Sequence, residues 1–144
     1  MSAGAASAER AVTLDELAAW GAAFGADLVA PCVVALSGDV GAGKTTLVQA
    51  IARGYGVREP VTSPTFTLVH EYAAPRSAVR HLDLYRLANE SALVSIGFDE
   101  VVADGAVVLI EWAEWAGSRL PRDARRIWLA HDATDPSRRL LREG

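Results

Sequence analysis

The chain has 144 residues, 51% hydrophobic and 22% charged, with 14 basic side chains against 18 acidic ones and a net charge of −4. That length suits one domain with a sizeable core and is too short for two independent ones. The acidic balance argues against broad binding to a nucleic-acid backbone, no apolar run approaches the ~20 residues of a membrane span, and the single Cys32 permits no internal disulfide.

Residues 1–11 carry no basic segment followed by an apolar one, so a secretory signal is not expected and a cytoplasmic location is. They read as a short disordered tail ahead of a domain covering residues 12–144. Thr13-Leu14-Asp15-Glu16 is a capping-box pattern, with Val12 and Leu17 placed as a hydrophobic staple. Apolar residues at helical spacing then predict a first helix to about Gly25. Cys32 to Leu36 has the pattern of a buried strand. From Lys44 the spacing turns helical again through Leu47, Val48 and Ile51, with Arg53 as a last-turn cation and Gly54 as the C-cap.

The rest is β-rich. Phe66–Tyr72 and Val79–Tyr85 alternate around a Pro/Ser turn and predict a hairpin. Short helices are expected at Asn89–Ile96 and Phe98–Ala103. Val107–Ile110 reads as a second buried strand ending in Glu111, and Arg125–His131 and Arg138–Arg142 as terminal strands around an Asp135-Pro136 turn. The expected fold is a single-domain α/β protein with a mixed sheet flanked by helices, not a regular run of βαβ units.

Thirteen of the 14 basic residues are arginine, and the one lysine is Lys44. It falls in Gly38-Asp39-Val40-Gly41-Ala42-Gly43-Lys44-Thr45, which satisfies G-x-x-x-x-G-K-[ST], the P-loop. The glycines let the backbone wrap a phosphate with its N–H groups inward, and the following helix adds its positive end. Lys44 would meet the β- and γ-phosphates and Thr45 would bind Mg²⁺. A loop that merely joins strand to helix is the bland alternative, which the strand–loop–helix context disfavours. The dinucleotide pattern G-x-G-x-x-G fails, because Thr46 stands at its third glycine.

A P-loop needs an acidic partner for its metal. Glu111, at the end of an apolar strand, is the first candidate. Asp83, sharing a strand face with His81 and Tyr85, is the second; one carboxylate would serve Mg²⁺ and the other the attacking group. An ordinary strand-end charge and a solvated strand face are the respective alternatives. Thr62-Ser63-Pro64-Thr65 lies where a γ-phosphate switch would, although a hydroxyl-bearing turn is the simpler reading. Trp112 and Trp115 suit either a partner surface or core packing. His70, His81 and His131 read as strand residues, and the C-terminal arginines as a solvated face.

Taken together, G-D-V-G-A-G-K-T-T, T-S-P-T-F-T-L-V, H-L-D-L-Y-R, G-F-D-E and L-I-E-W resemble in order and spacing the TsaE (YjeE) family. The resemblance runs from about Thr13 to Leu141. It implies a weakly hydrolysing P-loop ATPase that supports the TsaB and TsaD proteins in threonylcarbamoylation of adenosine 37 of tRNAs reading ANN codons. The implied ligands are ATP and Mg²⁺, with tRNA engaged through the complex. By position the resemblance assigns Asp39, Val40, Gly41, Ala42, Gly43, Lys44, Thr45 and Thr46 to the phosphates. It assigns Thr45 and Glu111 to Mg²⁺, Asp83 to the attacking water or γ-phosphate, and Thr13 and Arg138 more loosely to the nucleotide. Two alternatives stay open: a small-molecule P-loop kinase, which phosphate transfer to a metabolite would reveal, and a nucleotide-dependent binding module without turnover. A GTPase is disfavoured, since [NT]-K-x-D needs a second lysine.

Overall fold

The computed structural model describes residues 9–39, 41–62, 69–85, 90–95 and 97–144. Along the chain run β1 (Glu9–Thr13), α1 (Leu14–Ala26), β2 (Cys32–Gly38), α2 (Lys44–Tyr55), β3 (Val69–Tyr72) and β4 (Val79–Asp83). Then come α3 (Glu90–Ser95), α4 (Phe98–Ala103), β5 (Val107–Glu111), a 3₁₀ stretch at Ala113–Arg119, β6 (Arg125–His131) and β7 (Arg138–Glu143). The strands form one mixed sheet in the order β1-β7-β6-β2-β5-β4-β3. Its centre is parallel, β6 and β5 flanking β2 and β4 beyond β5. Its edges are the antiparallel pairs β3–β4, β6–β7 and β1–β7.

Strands β2 and β5 carry continuous apolar runs, Cys32–Leu36 and Val107–Ile110, because both of their faces are covered. Val34, Leu36, Val107, Leu109, Ile127 and Leu129 pack beneath α1 and α2. Val33, Ala35, Val108, Ile110 and Leu82 face the opposite layer, with Leu93, Phe98, Ala113 and Ala116.

Helix α1 starts on the expected capping box: the Glu16 N–H donates to Thr13 Oγ1 at 3.1 Å and the Thr13 N–H to Glu16 Oε1 at 2.8 Å. Val12 and Leu17 are both buried in the core as the staple requires. The crossing of α1 over α2 is close. A Cβ on Gly25 would lie 2.0 Å from the Ile51 carbonyl oxygen, and one on Gly54 would lie 2.1 Å from that of Ala22.

Two expectations need correction. Gly54 is not the C-cap of α2; the helix continues through Tyr55 and ends at Gly56, which takes φ 121°. Gly54 is instead a contact glycine, which local spacing cannot distinguish from a cap. The expected tail over residues 1–11 is also corrected, since Glu9, Arg10 and Ala11 belong to β1, paired with Arg142, Leu141 and Leu140 of β7. That strand exists through a partner at the far end of the chain, so no local signal marks it. Of the predicted hairpin, β3 and β4 are present, while residues 66–68 lie outside the described ones.

Candidate functional site

Strands β2, β4 and β5 run parallel and deliver their C-terminal ends to one edge of the sheet, where Leu36 and Asp83 lie in register with Glu111 from either side. Ligands of open α/β sheets bind at such edges. Gly38 leaves β2 at φ 141°, and a Cβ there would sit 1.9 Å from the Leu129 carbonyl oxygen, so only glycine allows this exit. Gly43 precedes α2 at φ 103° and offers no side-chain cap. A helix start without a side-chain cap is the kind of N-terminus that suits an anion.

Lys44, only 5% exposed, folds back over this loop. Its Nζ donates to the carbonyl oxygens of Gly38 at 2.7 Å and Asp39 at 2.8 Å. It also lies 4.0 Å from the ring centroid of Trp112, a cation–π distance. Burial pushes the Lys44 ammonium below the ordinary lysine range, with Glu114, Glu111, Asp39 and Asp83 pulling the other way. Trp112 reaches this position by adopting φ 58° directly after β5. Left-handed backbone costs a non-glycine residue roughly 1–2 kcal/mol. Tyr85 also packs against Trp112, the rings tilted at 43° with centroids 4.9 Å apart.

Glu111 is a buried carboxylate, 2% exposed, not the ordinary strand-end charge that was its alternative. One oxygen, Oε1, accepts a hydrogen bond from Thr45 Oγ1 at 2.9 Å; the other, Oε2, accepts from His81 Nε2 at 2.5 Å. His81 has no exposed surface, and it shares its strand face with Val79, which packs in the core cluster of α1 and α2, so this face of β4 is not the solvated one. Its Nδ1 has no partner among the described residues. Leaving a buried polar atom unpaired costs about 1–3 kcal/mol. Asp83 Oδ1 accepts from the Tyr85 N–H at 3.0 Å, which turns the chain at the end of β4.

These groups enclose a cavity of ≈ 430 Å³ lined by Gly41, Gly43, Lys44, Thr45, Thr46, Asp83, Tyr85, Glu111 and Trp112. The expected residues thus divide. Lys44, Thr45, Thr46, Asp83 and Glu111 come together, and Ala42 is buried behind the loop. Asp39 contributes its carbonyl to Lys44 while its side chain faces solvent. Val40, Ser63, Pro64 and Thr65 lie outside the described residues, and Thr62 is held by the Tyr72 hydroxyl. Thr13 and Arg138 do not line the cavity. They face each other across β1 and β7, Thr13 being committed to its cap and Arg138 lying 3.5 Å from Asp135 and 3.7 Å from Glu16. The N-terminal turn of α1 still borders the loop, since a Cβ on Gly43 would touch Leu17 and Leu14. Sequence reasoning missed His81 and Tyr85; His81 sits two residues before Asp83, the spacing that puts both on one strand face. Among the described residues no group of three or more His, Cys, Asp or Glu side chains could cage a metal unaided.

A strand, a GDVGAGKT loop and a helix at the edge of a parallel-centred sheet, with a buried carboxylate facing the loop threonine, define an α/β protein of P-loop architecture. Comparison with known proteins narrows this. The family model described as threonylcarbamoyl adenosine biosynthesis protein TsaE matches residues 11–140, and the chain belongs to the TsaE family. It is 44% identical over 97 residues to the tRNA threonylcarbamoyladenosine biosynthesis protein TsaE of Nostoc, a match covering 65% of this chain and 60% of that protein. It is 42% identical over 106 residues to the protein of the same name from Treponema pallidum, covering 74% and 78%. The crystal structure of Bacillus subtilis YdiB superposes with a TM-score of 0.74 at 29% identity, covering 94% of this chain and 83% of that one.

Proposed function

We propose that this chain is a slow ATPase that binds ATP with Mg²⁺ and works with TsaB and TsaD in forming threonylcarbamoyladenosine at position 37 of tRNAs reading ANN codons. The observation that carries the reading is the hydrogen bond from Thr45 to Glu111 at the cavity, beside a buried Lys44. A hydroxyl and a carboxylate are hard oxygen donors, the kind Mg²⁺ takes from a protein in ones and twos while phosphate and water complete its shell. Thr45 and Glu111 would hold the ion, which when bound neutralises charge developing on the phosphates.

The chain's own groups supply the rest. The Lys44 ammonium exchanges its carbonyl contacts for charge-assisted hydrogen bonds to phosphate oxygens. The N–H groups from Gly41 through Thr46 surround the same anion. Asp83, in register with Glu111 on the neighbouring strand, would orient the attacking water. The names of the Nostoc and Treponema relatives support the tRNA-modification context.

The test is ATP hydrolysis by the isolated chain, then with TsaB and TsaD, then with tRNA added. Partner-stimulated release of inorganic phosphate is expected, together with loss of modification in Lys44→Ala. Transfer of phosphate to a metabolite would support the kinase alternative, and partner function without hydrolysis would support the binding module.

A further inference from the structure

Resting on the Mg²⁺-ATP reading above, we propose that His81 is a positioning residue that keeps the Glu111 carboxylate aimed at the metal position. Glu111 enters the buried sheet edge on a side chain with several rotatable bonds. Thr45 engages Oε1, and His81, itself without exposed surface, engages Oε2. Both oxygens are acceptors, so the contact selects the tautomer that carries its proton on Nε2.

That choice leaves Nδ1 buried with no partner among the described residues. Packing alone does not account for a histidine here. Leu82 and Leu109 fill neighbouring buried positions with no polar atom to satisfy. What the imidazole adds over a leucine is the bond from Nε2 to Glu111. His81 holds Oε2 whether or not Thr45 holds Oε1, so Oε1 stays directed at the cavity when the Thr45 hydroxyl turns to another partner. Hydrogen-bond partners of metal-binding carboxylates commonly have this orienting role.

The experiment compares ATP affinity in EDTA with ATP affinity in Mg²⁺ for the full chain and its His81→Gln, His81→Asn and His81→Leu variants, alongside thermal unfolding without ligand. A glutamine amide reaches the position of Nε2, whereas an asparagine amide reaches only that of Nδ1. The expected result is metal-free affinity within about twofold of wild type throughout, with the Mg²⁺ enhancement reduced about 10- to 100-fold in Asn and Leu but kept in Gln. If Leu does not fold, the contrast between Gln and Asn carries the test. An unchanged enhancement in Asn overturns the proposal, even if its melting temperature falls, because His81 would then serve packing alone. So does a loss shared equally by Gln and Asn. Absence of any Mg²⁺ enhancement in the wild-type chain would instead overturn the Mg²⁺-ATP reading itself, and this inference with it.

Discussion

Lys44 combines two roles that pull in opposite directions. A buried ammonium on backbone carbonyls is unfavourable for folding, yet it is the cation that the proposed phosphate site needs. Its pKa in the folded chain is held below the ordinary lysine value. The unfolded chain therefore binds the extra proton over the window between those two values, and stability should rise with pH there. Lys44→Met should flatten that alkaline segment of a urea-denaturation pH series while abolishing ATP binding in calorimetry. Lys44→Arg should also lose ATP affinity, because a planar guanidinium is a poor substitute for a compact ammonium in this cradle. Trp112 gives an optical handle on the same event. Its ring covers the Nζ of Lys44, so nucleotide binding should change the intrinsic fluorescence, and Trp112→Phe should remove most of that change despite the other tryptophans. Glu111→Ala should retain metal-free ATP affinity and lose Mg²⁺-dependent turnover; unchanged hydrolysis in the assembled complex would remove Glu111 from the metal site.

At the scale of elements, α1 and α2 make opposing demands on glycine. Exposed helix positions gain up to about 1 kcal/mol when glycine becomes alanine. Gly54→Ala should do the reverse, because its Cβ would fall 2.1 Å from the Ala22 carbonyl oxygen and force the helices apart. A destabilisation of roughly 1–3 kcal/mol by urea titration is expected. The capping box of α1 predicts a loss of about 1 kcal/mol for Thr13→Ala. It also has a pH signature. Hydrogen bonds from Thr13 hold the Glu16 carboxyl below its ordinary range. Its contribution is present at neutral pH and lost as the pH falls through that lowered value, so wild type and Glu16→Ala should draw together in stability in acid, whereas the loss in Thr13→Ala, whose backbone N–H still reaches Glu16, should persist.

At the scale of the molecule, the cavity is a junction of three chain segments: the loop after β2, the end of β4 and the end of β5. Lys44 is the cation among its described lining residues. Arginine fingers supplied by a partner commonly raise NTPase rates by roughly 10³–10⁵. The isolated chain should therefore turn over slowly, and the TsaB–TsaD complex should accelerate it in a phosphate-release assay.

The P-loop, the capping box, the short helix at Phe98–Ala103 and the buried strand before Glu111 were legible in the sequence, because each is set by interactions within a few residues. A glycine pattern can be read locally when the dihedrals it serves are local, as at Gly41 and Gly43. What depended on distant neighbours was not legible. The role of Gly54 is decided by the backbone of α1, the extent of β1 by the register of β7, and the environment of His81 by the pairing of β4 with β5. The same holds for the pairing of His81 with Glu111, which no spacing along the chain announces. The sequence alone identified the G-x-x-x-x-G-K-T pattern and its one lysine. Only the tertiary structure showed that Glu111 and Asp83 meet beside that loop and that His81 holds Glu111, since parallel pairing of β4, β5 and β2 brings together side chains that the chain itself keeps far apart.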